Sequence, residues 1–167
     1  MSERRTEAAR WFRQAVSDLN AARWNREGGF HDTACFLTQQ AGEKALKSLL
    51  YYLGARRAAL LTHSLVVMMQ DLVPPPEPAA GGSEPAAAGA TPARHSRDTS
   101  AIAALLDEAR LLDLHYVPSR YPNGLPGGYP HQFYGPDLSQ RAIDAAGRIV
   151  AAVTSWYRDA ESVLLEG

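Results

Sequence analysis

What most limits the folds open to this chain is the placement of its 11 prolines. Six lie between Pro74 and Pro92, and five between Pro118 and Pro136. Proline removes a backbone donor and its ring collides with the preceding turn, so it is kept out of helix interiors. Three proline-free blocks remain: Met1 to Val73, Ala93 to Val117 and Asp137 to Gly167. Each is patterned with the period of a helix.

In the first block Ala8, Phe12, Ala15, Leu19 and Ala22 recur at helical spacing, with Trp11 beside them. Gly28-Gly29 ends that helix. A second runs from Phe30 or His31 to Leu53, with Ala34, Leu37, Ala41, Ala45 and Leu49 inward, and Gly54 stands where a left-handed residue closes it. Thr62 is placed to cap a third, shorter helix carrying Leu65, Met68, Met69 and Leu72. The second block offers Ile102, Leu105, Ala109 and Leu112, with Asp98 or Thr99 as cap. In the third, Asp137-x-x-Gln140 has the form of a capping box. Behind it Ile143, Ala146, Val150, Val153, Tyr157, Ala160 and Leu164 make a seam that Ile149, Trp156 and Val163 widen, broad enough for a core side and a partner side.

No strand or hairpin pattern interrupts these blocks. The sequence therefore predicts an all-α fold, an antiparallel up-down four-helix bundle with an additional short helix. At 167 residues one domain, spanning 1–167, is expected. Residues 74–97 are Pro, Ala, Gly and Ser with almost no large apolar side chain, the composition of a mobile insertion.

A net charge of −1 supplies no global attraction to nucleic acid or to an anionic membrane. No run of about 18 apolar residues is present, so no membrane span is expected. The first residues lead into an amphipathic pattern rather than a signal peptide, and a cytoplasmic location is the expectation. The single cysteine, Cys35, rules out an internal disulfide and a cysteine-based zinc site. The five histidines lack metal-ligand spacing, so neither a metal nor a cofactor is expected.

The densest run of helix formers is Gln39 to Leu50, which holds both lysines of the chain, Lys44 and Lys47. Leu46, Leu49, Leu50 and Leu53 make an apolar face, while Gln40, Lys44, Lys47 and Tyr51 fall along a separate strip. The run Phe36-x-x-Gln39-Gln40-Ala41-x-Glu43-Lys44-Ala45-Leu46-Lys47-x-Leu49-Leu50 resembles the second-helix signature of HEPN domains. The earlier Asp18-Leu19-x-x-Ala22, the His63-Ser64-Leu65 step, the later Tyr116-x-x-x-Arg120-Tyr121-Pro122 and the helix Ala142 to Tyr157 resemble the same pattern in order. The resemblance covers nearly the whole chain outside 74–97.

This resemblance implies a small helical bundle that pairs as a homodimer, commonly with a minimal nucleotidyltransferase encoded beside it. Some members bind nucleotides, some are non-catalytic, and some are metal-independent, toxin-like endoribonucleases with an Arg-x(4–6)-His motif. The fold follows from the family; the activity does not.

In such a ribonuclease a histidine moves the proton and an arginine holds the phosphate. Formal matches are Arg26-x4-His31, Arg56-x6-His63, Arg57-x5-His63 and Arg110-x4-His115. Roughly one match is expected by chance in a chain this rich in arginine. Arg110 and His115, ahead of the last helix, are the best placed as a catalytic pair, although Leu111 stands where ribonuclease members favour a polar residue. The opposing reading puts His115 in a half-buried structural slot.

For ligand or partner binding the candidates are Glu43, Lys44, Lys47, His63, Arg120 and Tyr121. Glu43 and Lys47 also satisfy a simple surface i,i+4 ion pair. His63 opens a helix, where it can hydrogen-bond a loop carbonyl or, with Arg56 and Arg57, flank a phosphate. The loop Arg120 to Tyr134, with four aromatics and His131 among turn formers, suits packing across the end of the bundle or base stacking. The sequence thus points to a homodimeric binding and regulatory module pairing with a nucleotidyltransferase-like partner, with nucleotide or RNA phosphate as ligand. A metal-independent endoribonuclease is the alternative.

Overall fold

The computed structural model describes residues 3–55, 60–72 and 98–160, with residues 159 and 160 as backbone only. All regular structure among these residues is helical: α1 (Glu3–Glu27), α2 (His31–Leu53), α3 (Leu65–Leu72), α4 (Ser100–Ala103), α5 (Leu106–Asp113), a 3₁₀ turn (Pro122–Gly124), α6 (Pro130–Phe133) and α7 (Pro136–Ala160). The stretch 74–97, read as an insertion, lies outside the described residues, as do Arg56 and Arg57. No helix among the described residues is long and apolar enough to cross a membrane.

The helix α2 is the axis of the molecule. Every residue from Ala41 to Leu50 except Lys44 is buried, because α1, α3, α5, α6 and α7 all pack on it. Small residues let them approach. A Cβ built on Gly42 would lie 2.6 Å from Leu65 Cδ2 and 3.0 Å from Leu112 Cδ1, so the absence of a side chain there is what lets α3 and α5 close on α2. The α1–α2 hairpin turns at Gly29, at φ +83°. Gly54 adopts φ +68° and, with Ala55, returns its N–H to the carbonyls of Tyr51 and Leu50, as its position in the sequence predicts.

The core residues of α1, Ala8, Phe12, Ala15, Leu19 and Ala22, are buried, as are Leu65, Met68, Met69 and Leu72 of α3. The expectation of four long helices is not met. The long ones are α1, α2 and α7; the Ile102 to Leu112 stretch breaks at Ala104-Leu105 into α4 and α5. The fourth side of the bundle is therefore an assembly of short pieces, and these need tertiary support.

Asp113 provides much of it. From the end of α5 its carboxylate accepts the backbone N–H groups of Leu65 (2.8 Å) and Val66 (3.2 Å) and the hydroxyl of Ser64 (2.6 Å). The N-cap of α3 is thus Ser64, whose hydroxyl also accepts Val67 N–H, whereas Thr62 supports only Ser64 N–H. A carboxylate from another helix meets the exposed donors of this helix start. Asp98 holds Ser100 N–H ahead of α4, while Thr99 turns its hydroxyl to the Leu72 carbonyl.

Two further expectations change at α7. The helix starts at Pro136, and Gln140 donates forward to Asp144 at 2.8 Å, so its side chain does not reach back to close a capping box. Ile149 and Trp156, read as a possible partner face, are buried in the monomer's own core, at 0% and 7% exposure. Tyr157 joins them and shares a 2.6 Å hydrogen bond with Ser48 of α2.

Candidate functional site

On the flank of α2 that faces α1 and the α3 entry, polar side chains form one connected group. Its anchor is Glu43, which is 4% exposed. One turn on, Lys47 Nζ donates to Glu43 Oε1 at 2.8 Å, and both side chains are 5% exposed. The same oxygen meets His63 Nδ1 at 3.2 Å, and Gln39 Nε2 donates to Oε2 at 3.2 Å and to the His63 carbonyl at 3.0 Å. The i,i+4 pair is present but buried, not the solvated surface pair of the sequence reading. Lys47 Nζ also lies 5.3 Å from the centre of the Trp11 ring, which stacks on Tyr51. Lys47 is enclosed and serves as counter-ion to Glu43.

Lys44 behaves differently. It reaches across the hairpin to Asp18 of α1, within hydrogen-bond distance, and donates to Gln40 Oε1 at 3.2 Å. Its side chain keeps 20% exposure, so Lys44 ties α1 to α2 and is less enclosed than Lys47.

His63 extends outward from Glu43, with a side chain 56% exposed. Its ring stacks on Tyr116 with centroids 4.9 Å apart and planes 16° from parallel. Against the same Tyr116 ring lies the Arg120 guanidinium, 4.7 Å from its centre. Arg120 is also 4.5 Å from the Phe36 ring and 5.0 Å from the Tyr121 ring, and its Nε donates to the Tyr116 carbonyl at 2.9 Å. It contacts no carboxylate among the described residues. The half-buried guanidinium thus lies within 5.0 Å of three aromatic ring centres and has no carboxylate partner among the described residues, next to an imidazole and a half-exposed Tyr121. Such an arrangement offers a planar cation and π faces together. Of the predicted binding residues, Glu43, Lys47 and His63 meet directly, Arg120 and Tyr121 join through Tyr116, and Lys44 adjoins through Gln40.

Arg110 and His115 are not brought together. Arg110 projects from α5 into solvent and pairs with Asp107 at 2.8 Å. His115 is 3% exposed, edge-on to Tyr134 at 5.6 Å, and its Nε2 has no hydrogen-bond partner. Burial, with the Arg141 charge adding to it, pulls its pKa down to about 4. The rest of the aromatic loop divides: Tyr134 is buried on His115, while Tyr129 and Phe133 remain half exposed.

Asp18, Phe36 and Tyr116 belong to the site and were not singled out for it. Asp18 carried a legible signal, since it lies among Ala15, Leu19 and Ala22 on the core face of α1, where a carboxylate needs a partner. The pairing of Phe36 with Arg120 had none, because it depends on how the loop after α5 folds back. Among the described residues no three His, Cys, Asp or Glu side chains gather to hold a metal ion.

The family model of the HEPN domain matches residues 8–156, and the chain belongs to that family. TT1696 from Thermus thermophilus is similar in structure, with a TM-score of 0.67 at 27% identity over 90% of this chain and 98% of its own. ST0689, described as an archaeal HEPN homologue, has a TM-score of 0.61 at 31% identity, covering 89% of this chain and 96% of its own. No curated protein sequence matches.

Proposed function

We propose that this protein is a HEPN-type binding and regulatory module, a homodimer that pairs with a nucleotidyltransferase-like protein and takes nucleotide or RNA phosphate on the Lys44–His63–Arg120 face. The observation that carries this reading is the Arg120 guanidinium, without a carboxylate partner among the described residues and set among Phe36, Tyr116 and Tyr121, with the His63 ring on Tyr116. A phosphate answers the free charge, and a base answers the aromatic faces. The buried Glu43–Lys47 pair is the foundation that orients His63. In a fluorescence-anisotropy titration with a single-stranded RNA oligonucleotide, Arg120→Ala is expected to weaken binding about tenfold or more. Unchanged affinity would remove the face from consideration. Light scattering at micromolar concentration tests the dimer, and a monomer there contradicts it.

The ribonuclease alternative finds its better geometry at His63 than at His115. The Glu43 carboxylate holds His63 Nδ1, and the imidazole is open to solvent, the arrangement of a positioned general base. Incubation of RNA in EDTA separates the readings: cleavage lost in His63→Ala supports the nuclease, and intact RNA supports the binding module.

A further inference from the structure

A second site, away from the His63 face, lies where the end of α1 crosses α7. A groove of about 600 Å³ runs between them, lined by Arg23, Arg26, Gln140, Asp144, Gly147 and Arg148, with Glu27, Ile143 and Ala151. Its size falls in the range of small-molecule sites, about 300–1,000 Å³. Three guanidinium groups meet there from two helices. Arg148 spends its Nε on Glu108 at 2.8 Å, and Arg23 spends one nitrogen on Asn20 at 3.0 Å. The Arg26 guanidinium makes no hydrogen bond or ion pair with any described residue, although its Nε is shut off from water. A buried Nε–H without an acceptor among the described residues is an unmet demand. The helix dipole at the end of α1 attracts a cation in its last turn; Arg148, from the middle of α7, is ion-paired through Nε with Glu108 and has no hydrogen bond from its terminal nitrogens to a described residue.

Gly147 gives an independent indication. It stands inside a 25-residue helix, where glycine is disfavoured by its backbone freedom. Packing does not demand it, since a Cβ built there meets nothing within 4 Å. The missing side chain leaves the groove wall open beside Asp144, which accepts a hydrogen bond from Gln140 and retains lone pairs for another donor.

We infer that this groove binds a phosphorylated small molecule, with its phosphates on Arg23, Arg26 and Arg148 and a hydroxyl or amino group toward Asp144. Bidentate guanidinium contacts suit phosphate oxygens, and the carboxylate selects against a ligand that is anionic throughout.

Calorimetric titration at fixed ionic strength with inorganic tripolyphosphate and with ATP tests the site. The parent is expected to bind ATP saturably; Arg26→Gln and Arg148→Gln each weaken it about tenfold or more. Gly147→Leu, a change that favours helix and fills the groove, abolishes it while the thermal melt stays intact. ATP held at the His63 face is lost in Arg120→Ala and kept in Arg26→Gln, whereas ATP held in the groove shows the reverse, which separates the two sites. ATP binding more tightly than tripolyphosphate supports a contact beyond the phosphates. No saturation at millimolar ATP, or equal affinity in the parent, Arg26→Gln and Gly147→Leu, overturns the inference.

Discussion

Glu43 shows how much one carboxylate can organise when water cannot reach it. Its charge is met by Lys47, His63 and Gln39, and that arrangement fixes the entry to α3. Removing one member of a buried pair leaves the other uncompensated, at a cost of about 3–5 kcal/mol. Lys47→Ala is therefore expected to lower the thermal midpoint sharply, and the isosteric double change Glu43→Gln/Lys47→Met to restore part of it. A single variant melting like the parent would contradict the buried pairing. His115 acts in the opposite sense, being buried as the neutral ring. Its folded pKa, about 4, lies below the ordinary value of 6.5, so between these two the unfolded chain binds the proton more readily. Stability tied to this group is complete above about pH 6.5 and lost as pH falls toward 4, by about 3 kcal/mol. Denaturant melts across that range should show the loss in the parent and a shallower slope in His115→Leu. Equal slopes would mean that His115 protonates without penalty.

Among the elements, the two glycines of opposite setting make a matched test. On α2, Gly42 lies under Leu65 and Leu112, and Gly42→Ala obliges these two buried side chains to shift; overpacking of this kind costs about 1–3 kcal/mol. On α7, Gly147→Ala meets open space and gains about 0.5–1 kcal/mol of helix propensity. Urea midpoints should move in opposite directions, and a parallel shift would contradict the packing of α2. These helices also mark what could be read in advance. The apolar faces of α1, α2, α3 and α7 were legible because period and burial coincide over many residues. The break between α4 and α5 was not, since Ala104 and Leu105 are good helix formers and their neighbours decide. The capping box at Asp137 failed for a similar reason: Pro136 is well suited to a first helical position and starts α7 two residues earlier than a cap at Asp137 requires.

At the scale of the molecule, the candidate site could be drawn from the sequence as a set of residues but not as an arrangement. Glu43, Lys44, Lys47, His63, Arg120 and Tyr121 were all marked by residue type and by their order along the chain. Sequence spacing could not tell that Lys47 is enclosed while Lys44 is partly exposed and paired with Asp18, nor that Arg120 would rest on Phe36 from a distant helix. Those facts arise from long-range packing around α2, and they shift the weight of the site from the two lysines to Arg120. The role of Arg120 is tested most directly by RNA binding to the parent and to Arg120→Ala in EDTA, followed by anisotropy with the RNA then run on a gel. Saturable binding by the parent is expected, with affinity about tenfold or more lower in the variant, and full-length RNA throughout. Equal binding by the two proteins, or RNA cut by the parent, would contradict a binding site centred on Arg120.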